Sequence, residues 1–220
     1  MFRKKIMEII WHGNFYFEIK GKNKEEITIV LDPFNEKTGL KPKKTKADIL
    51  LISHNDSDVK AIENSPFLIN EPGEYEVKGV RINGISLFSD KEKKKEINQN
   101  IIFTLQLENI KICHLSKFTE KELSPEKLEN IFDIDVLLIP IDGKTTLSGK
   151  EAVKIINQIE PKIVIPMYYK IPGLKIELDD EKKFLKELDI KSKEKLKKLK
   201  IKEKELEKKE GFEVVLLEAI

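Results

Sequence analysis

His54, Asp56 and Asp58 stand at every second position directly after the apolar run Asp48-Ile-Leu-Leu-Ile-Ser53. A buried strand that ends in such residues holds them rigidly while leaving them open to solvent, which suits metal ligation or proton transfer. A further histidine, His114, ends another strand-like segment, Ile110 to His114. Together, His54, Asp56 and His114 form a two-imidazole, one-carboxylate set, a sound combination for a single zinc, iron or manganese ion. Asp56 and Asp58 could also divide acid and base work if their surroundings separated their pKa values.

Other arrangements carry less chemistry. Ser53 precedes His54 and Cys113 precedes His114, but neighbouring strand residues point to opposite faces, so neither pair should meet as nucleophile and base. Cys113 reads as a small buried apolar residue. The segment Gly143-Lys-Thr-Thr146 has no second glycine at phosphate-loop spacing and reads as the turn before a helix. His12, between Trp11 and Gly13, reads as a surface-strand residue.

The elements that must position these groups follow from periodicity. Strands are expected at Ile6 to Trp11 and Asn14 to Ile19 around a Gly13 turn, then at Glu26 to Leu31, the third rich in β-branched residues. Leu31-Asp-Pro-Phe34 breaks the sheet, because proline cannot donate to a ladder. The Asp48 to Ser53 run is nearly continuous in apolar residues, as in a strand covered on both faces. Further strands are expected at Phe67 to Ile69, Glu74 to Val77, Val80 to Ser86 and Ile101 to Leu107, with a charged loop at Asp90 to Glu96. Val136 to Pro140 and Ile163 to Pro166 flank the helix candidate Ser148 to Ile159 as a strand-helix-strand unit. A helix is expected over Asp180 to Leu188 and a last strand over Phe212 to Leu217. Between them, Lys191 to Glu210 interleaves opposite charges with irregular leucines, which predicts a solvated amphipathic surface.

A length of 220 residues accommodates one domain spanning 1–220. With 40% hydrophobic and 36% charged residues, the chain can build a core under a heavily charged surface. The 41 basic and 39 acidic residues nearly cancel, so composition gives no case for a nucleic-acid or anionic-membrane partner. A single cysteine excludes an internal disulfide and a cysteine-cluster zinc site and fits a reducing cytoplasm. Glu8 interrupts the apolar run near the start before it reaches signal-peptide length, and no segment approaches the roughly 20 apolar residues of a membrane span.

Across nearly its whole length the chain resembles the metallo-β-lactamase superfamily. Ala47-Asp-Ile-Leu-Leu-Ile-Ser-His54-Asn-Asp56-Ser-Asp58-Val59 is similar to that family's strand followed by H-x-H-x-D-H, at the family's distance behind Leu31-Asp-Pro-Phe34. Pro72-Gly-Glu-Tyr-Glu-Val-Lys-Gly79, Ile112-Cys-His114-Leu, Asp135-Val-Leu-Leu-Ile-Pro140, Pro161-Lys-Ile-Val-Ile-Pro-Met167 and Pro172-Gly-Leu-Lys175 then follow in order. They resemble the branch of predicted zinc-dependent hydrolases related to ascorbate-6-phosphate lactonases. The resemblance implies an α/β fold, an αββα sandwich of two mixed β-sheets with helices outside, and a site at one edge.

The departures from the pattern matter as much as the matches. The resemblance puts His54, Asp56 and His114 at the first metal, and Asp58, Val59, Lys117 and Tyr168 at the second; Asn14 stands where relatives carry a histidine. Valine has no lone pair, tyrosine ligates well only when ionised from about pH 10, and an ammonium repels a cation. A dinuclear centre is therefore not expected, and Lys117 should pair with Asp58, with Asp56 as a second partner, in place of metal charge. The favoured expectation is a non-hydrolytic binding or scaffolding protein without a cofactor, whose partner is a small molecule or a protein; self-association into a homo-oligomer stays open. The alternatives are a hydrolase of a small phosphorylated or lactone-like substrate with one divalent metal, and an RNA-associated protein using the Lys191 stretch, against which the balanced charge argues.

Overall fold

Runs of isoleucine, valine and leucine build the sheets, because branched side chains fit a pleated surface. The computed structural model describes residues 6–87 and 100–220, so the loop expected at Asp90 to Glu96 lies outside the described residues. Along the chain come β1 (Met7–Trp11), β2 (Phe17–Lys22), β3 (Glu26–Leu31), β4 (Ile49–Leu51), β5 (Phe67–Ile69), β6 (Gly73–Val77) and β7 (Val80–Ser86). Then follow β8 (Ile101–Leu107), β9 (Ile110–His114), β10 (Val136–Pro140) and β11 (Ile163–Met167). The remaining strands are short: β12 (Lys195–Leu196), β13 (Leu199–Ile201), β14 (Glu213–Val214) and β15 (Leu216–Leu217). Helices are few, comprising α1 (Pro125–Asn130), α2 (Gly149–Ile159), α3 (Glu181–Glu187) and α4 (Glu203–Leu206).

Two mixed sheets result, as expected. The first runs β13-β1-β2-β3-β4-β5, the second β14-β11-β10-β9-β8-β7-β6. In the first, antiparallel hairpins join β1 to β3, and β4 and β5 continue parallel. In the second, β6 to β9 are antiparallel, whereas β9, β10, β11 and β14 are parallel neighbours. Alternation along each strand sends Ile29, Leu31, Ile49 and Leu51 from one sheet and Ile82, Phe103 and Leu105 from the other into one continuous apolar cluster. On the other face of the first sheet, Val30 and Leu50 pack with Tyr16, Phe34, Ala47 and Ala61.

The strand-helix-strand unit forms as the sequence predicts, with β10 and β11 parallel on either side of α2 in the chain. Ser148 caps α2, and Glu151 reaches back to the Ser148 backbone, a capping box that fixes where the helix begins. Its apolar stripe of Ala152, Ile155, Ile156 and Ile159 faces the core. Asp180 caps α3 by a simpler bond, its carboxylate accepting the Lys182 and Lys183 N–H groups.

Three elements differ from expectation. The second strand starts at Phe17, not Asn14, because Gly13 and Asn14 both take positive φ (99° and 49°) and turn the chain over the strand ends. The Lys191 to Glu210 stretch is more than a solvated surface, since its β13 forms the edge of the first sheet beside β1. There Ile201 is buried, while Lys198 and Lys200 reach Glu8 at 2.8 and 3.3 Å, which keeps the edge charged. The terminal run divides into β14 against β11 and β15 against β12.

Candidate active site at the strand ends

β3 and β4 stop side by side, and Asp32 follows β3 with φ 43° and 2% exposure. Its carboxylate gathers the chain that continues from β4. One oxygen accepts the Ser53 N–H at 2.7 Å and the Ser57 hydroxyl at 3.0 Å, and the other accepts the Ser53 hydroxyl. Ser53 Oγ lies 2.5 Å from Ser116 Oγ, and Ser116 donates to Asn100 Oδ1 at 2.7 Å. The Asn100 amide in turn donates to the Lys117 carbonyl at 2.8 Å. This buried chain of hydrogen bonds links the ends of β3, β4 and β9 beneath the site.

Ser53 and His54 do meet, contrary to the strand-geometry argument. Ser53 Oγ stands 2.9 Å from His54 Nδ1, because β4 has already ended at Leu51 and alternation no longer applies. They are still no nucleophile and base, since Ser53 is wholly buried with its proton directed at Asp32. His12 is also corrected: it is buried at 4% exposure, with Nε2 3.2 Å from Glu18 and Nδ1 against the Ile220 carbonyl.

A cavity of about 70 Å3 opens above this network, lined among others by Asn14, Phe15, His54, Asp56, Lys117 and Tyr168. Five of these six were singled out from the sequence; Phe15 was not. The Phe15 ring stacks on Tyr168 with centroids 4.2 Å apart and meets the His54 ring edge-on at 5.0 Å. Tyr168 takes φ 52° at the end of β11, and its backbone N–H donates to the Asn14 carbonyl at 3.2 Å, closing the opening turn over the site. Burial pushes the Tyr168 hydroxyl above its ordinary pKa, a hydrogen bond with Thr145 partly offsetting this. Thr145 and Thr146 themselves donate to the fully buried Asp142, so the Gly143 segment is a turn tied to this carboxylate.

Lys117 donates to the Asp56 carboxylate at the cavity mouth. That bond holds Asp56 below the usual carboxylate range. His54 is lowered from its ordinary value first by burial and further by the Lys117 charge, against the opposing pull of Asp32 and Asp56. Asp58, the other expected partner of Lys117, does not pair with it; its Oδ1 accepts the Lys60 N–H at 2.9 Å and caps the 3-10 turn Val59–Ala61. Val59 is 51% exposed. Both fall outside the strand-end cavity because the chain turns away after Ser57.

His114 lies beneath the cavity and is completely buried. Its Nε2 donates to the Phe15 carbonyl at 3.2 Å, and its Nδ1 accepts the Ser116 N–H at 3.3 Å. These partners fix the neutral Nε2-protonated tautomer. Burial accordingly lowers its pKa to about 4.

The donor set does not fit the metal centre that the family pattern implies. Both His114 nitrogens are committed to backbone groups, and an ammonium occupies the cavity mouth. Among the described residues, no group of three His, Cys, Asp or Glu side chains is placed to hold an ion. Nor does any buried side-chain nitrogen or oxygen lack a hydrogen-bond partner there, as ligands shaped for a cation would.

Comparison with known proteins places this geometry. The model of the β-lactamase superfamily domain matches residues 8–168. The chain belongs to that superfamily. A UPF0173 metal-dependent hydrolase from Thermococcus onnurineus is 28% identical over 196 residues, 74% of this chain and 85% of the relative. A UPF0173 protein from Pyrococcus furiosus is 30% identical over 205 residues, 83% of this chain and 90% of the relative. Among solved structures, a candidate zinc-dependent hydrolase of the metallo-β-lactamase superfamily from Thermotoga maritima superposes with a TM-score of 0.78. It is 32% identical, and the match covers 96% of this chain and 98% of that one. The fold is thus that of the metallo-β-lactamases, and the Thermococcus onnurineus and Thermotoga maritima relatives carry the name of metal- or zinc-dependent hydrolases. No described helix is long and apolar enough to cross a membrane.

Asp32, Ser116, Asn100 and Phe15 escaped the sequence reading. Asp32 had a signal, since an aspartate wedged between an apolar strand and a proline has few reasons to be there other than side-chain hydrogen bonding. The others become neighbours only through the sheet arrangement.

Proposed function

We propose that this chain is a binding protein built on the hydrolase fold, taking a small molecule or protein partner at the strand-end cavity without a dinuclear metal centre. The observation that carries this reading is the Lys117 ammonium bonded to Asp56, a cation of the protein's own at the mouth of the site. The cavity then offers Lys117 as a donor and charge, His54 as a neutral imidazole and the Tyr168 ring as a wall. A ligand with an anionic or carbonyl oxygen matches these groups.

The names of the relatives weigh toward hydrolysis, and nothing in the comparisons supports a non-hydrolytic role; the case for one rests on side-chain chemistry. Hydrolysis with one metal ion is therefore the second reading. Elemental analysis of protein purified without chelator separates them. The binding reading expects well under one equivalent of zinc, iron or manganese. Near-stoichiometric metal that disappears in His54→Ala overturns it in favour of the hydrolase.

A further inference from the structure

Beside the strand-end cavity, and sharing Phe34 with it, lies a larger cavity of about 770 Å3. Phe34, Pro42 and Ala61 supply its apolar lining, and Lys37, Lys41, Lys43, Lys44 and Lys60 stand around it. Several other surface lysines sit against carboxylates, as Lys193 and Lys209 do on Glu213 and Lys198 and Lys200 on Glu8. Among the described residues these five make no ion pair, although Glu36 and Asp58 share the rim. Asp58 is spent on capping the Val59–Ala61 turn.

The crowding is built in. The buried Tyr16 hydroxyl donates to the Lys43 carbonyl at 2.9 Å. Thr45 N–H donates to the Ala61 carbonyl at 3.0 Å, and Glu63 N–H to the Thr45 carbonyl at 2.9 Å. These bonds tie the lysine loop to the turn that carries Lys60, so the backbone brings lysines from both segments to one cavity.

We propose that this cavity is a second binding site, for a small molecule that carries two or more adjacent phosphate groups. Clustered ammonium groups suit a chain of oxyanions, whereas one carboxylate would satisfy only one or two of them. The volume falls in the range of small-molecule sites, about 300–1,000 Å3. Glu36 and Asp58 stand on the rim, and the chain as a whole balances 41 basic against 39 acidic residues, which disfavours a nucleic-acid backbone as the occupant.

Titration calorimetry on the full chain with tripolyphosphate, adenosine triphosphate and a single-stranded RNA tests it. Saturable binding of the first two is expected, weakened about tenfold or more in Lys41→Gln/Lys44→Gln. Lys150→Gln/Lys154→Gln on the exposed face of α2 removes the same charge and should leave binding unchanged. All four substituted lysines are exposed, so unfolding temperatures should match the parent and separate lost binding from lost folding. Tighter binding of the nucleotide would assign the apolar lining to its base, and equal binding would assign affinity to phosphate alone; both support the site. No saturable binding, an equal loss in the α2 control, or RNA binding tighter than either small probe overturns it. A loss in Lys117→Met but not in Lys41→Gln/Lys44→Gln also overturns it, by moving phosphate to the strand-end cavity.

Discussion

Lys117 and Asp56 form an ion pair across the mouth of the strand-end cavity, one from the chain after β9 and the other from the chain after β4. The two sheets therefore meet electrostatically as well as through their core. Asp56 keeps 75% of its side chain exposed and Lys117 31%, so the pair matters more for local charge than for stability.

Replacing Lys117 with Met should consequently cost less than about 1 kcal/mol of stability. It should instead raise both the Asp56 and the His54 pKa, because the ammonium lowers each of them in the folded protein. NMR titration of the His54 ring and the Asp56 carboxyl measures this. Unchanged titration curves would remove Lys117 from the electrostatics of the site.

His114 should make the protein acid-sensitive. Its folded pKa of about 4 lies below the unfolded value of 6.5, so the unfolded chain takes up the proton first. Stability is then fully present above pH 6.5, falls as pH drops toward 4 and levels off below, a loss of about 3 kcal/mol from this group. Denaturant midpoints measured across that range should decline, and the decline should flatten in His114→Leu even though that variant is less stable throughout. A parallel decline in both proteins would refute the assignment.

Asp32 should be the costliest polar residue of the site to truncate. Asp32→Ala leaves the Ser53 N–H, the Ser53 hydroxyl and the Ser57 hydroxyl without their acceptor, a loss of about 2–4 kcal/mol. Asp32→Asn retains one acceptor oxygen and should lose less. Equilibrium unfolding that ranks the two variants equally would deny the carboxylate this role.

Chelation provides a fourth check. The unfolding temperature should be the same with and without a strong chelator, because a resident metal stabilises the folded state by mass action. A drop on chelation, restored by zinc, would return the site to its relatives' chemistry.

Much of this was legible in the residues. The alternation and β-branching of Glu26 to Leu31 and Val80 to Ser86, and the Ser148 and Glu151 cap, specify their elements locally, since each depends on neighbours a few positions away. His54, Asp56, Lys117, Tyr168 and Asn14 could be named as one site only through their order along a family pattern. Asp58 and Val59, taken from the same pattern, proved to face elsewhere.

Taken alone, the amino-acid order determined which segments are strands or helices and which side chains carry charge or lone pairs, because these are properties of short stretches and single residues. Tertiary structure alone decided that Lys117 meets Asp56 rather than Asp58, that His114 spends both nitrogens on Phe15 and Ser116, and that five lysines close around one cavity. Those outcomes depend on where the ends of β3, β4 and β9 stop relative to one another. Hydrogen bonding and burial select the partner only after sheet packing has brought the candidates within reach.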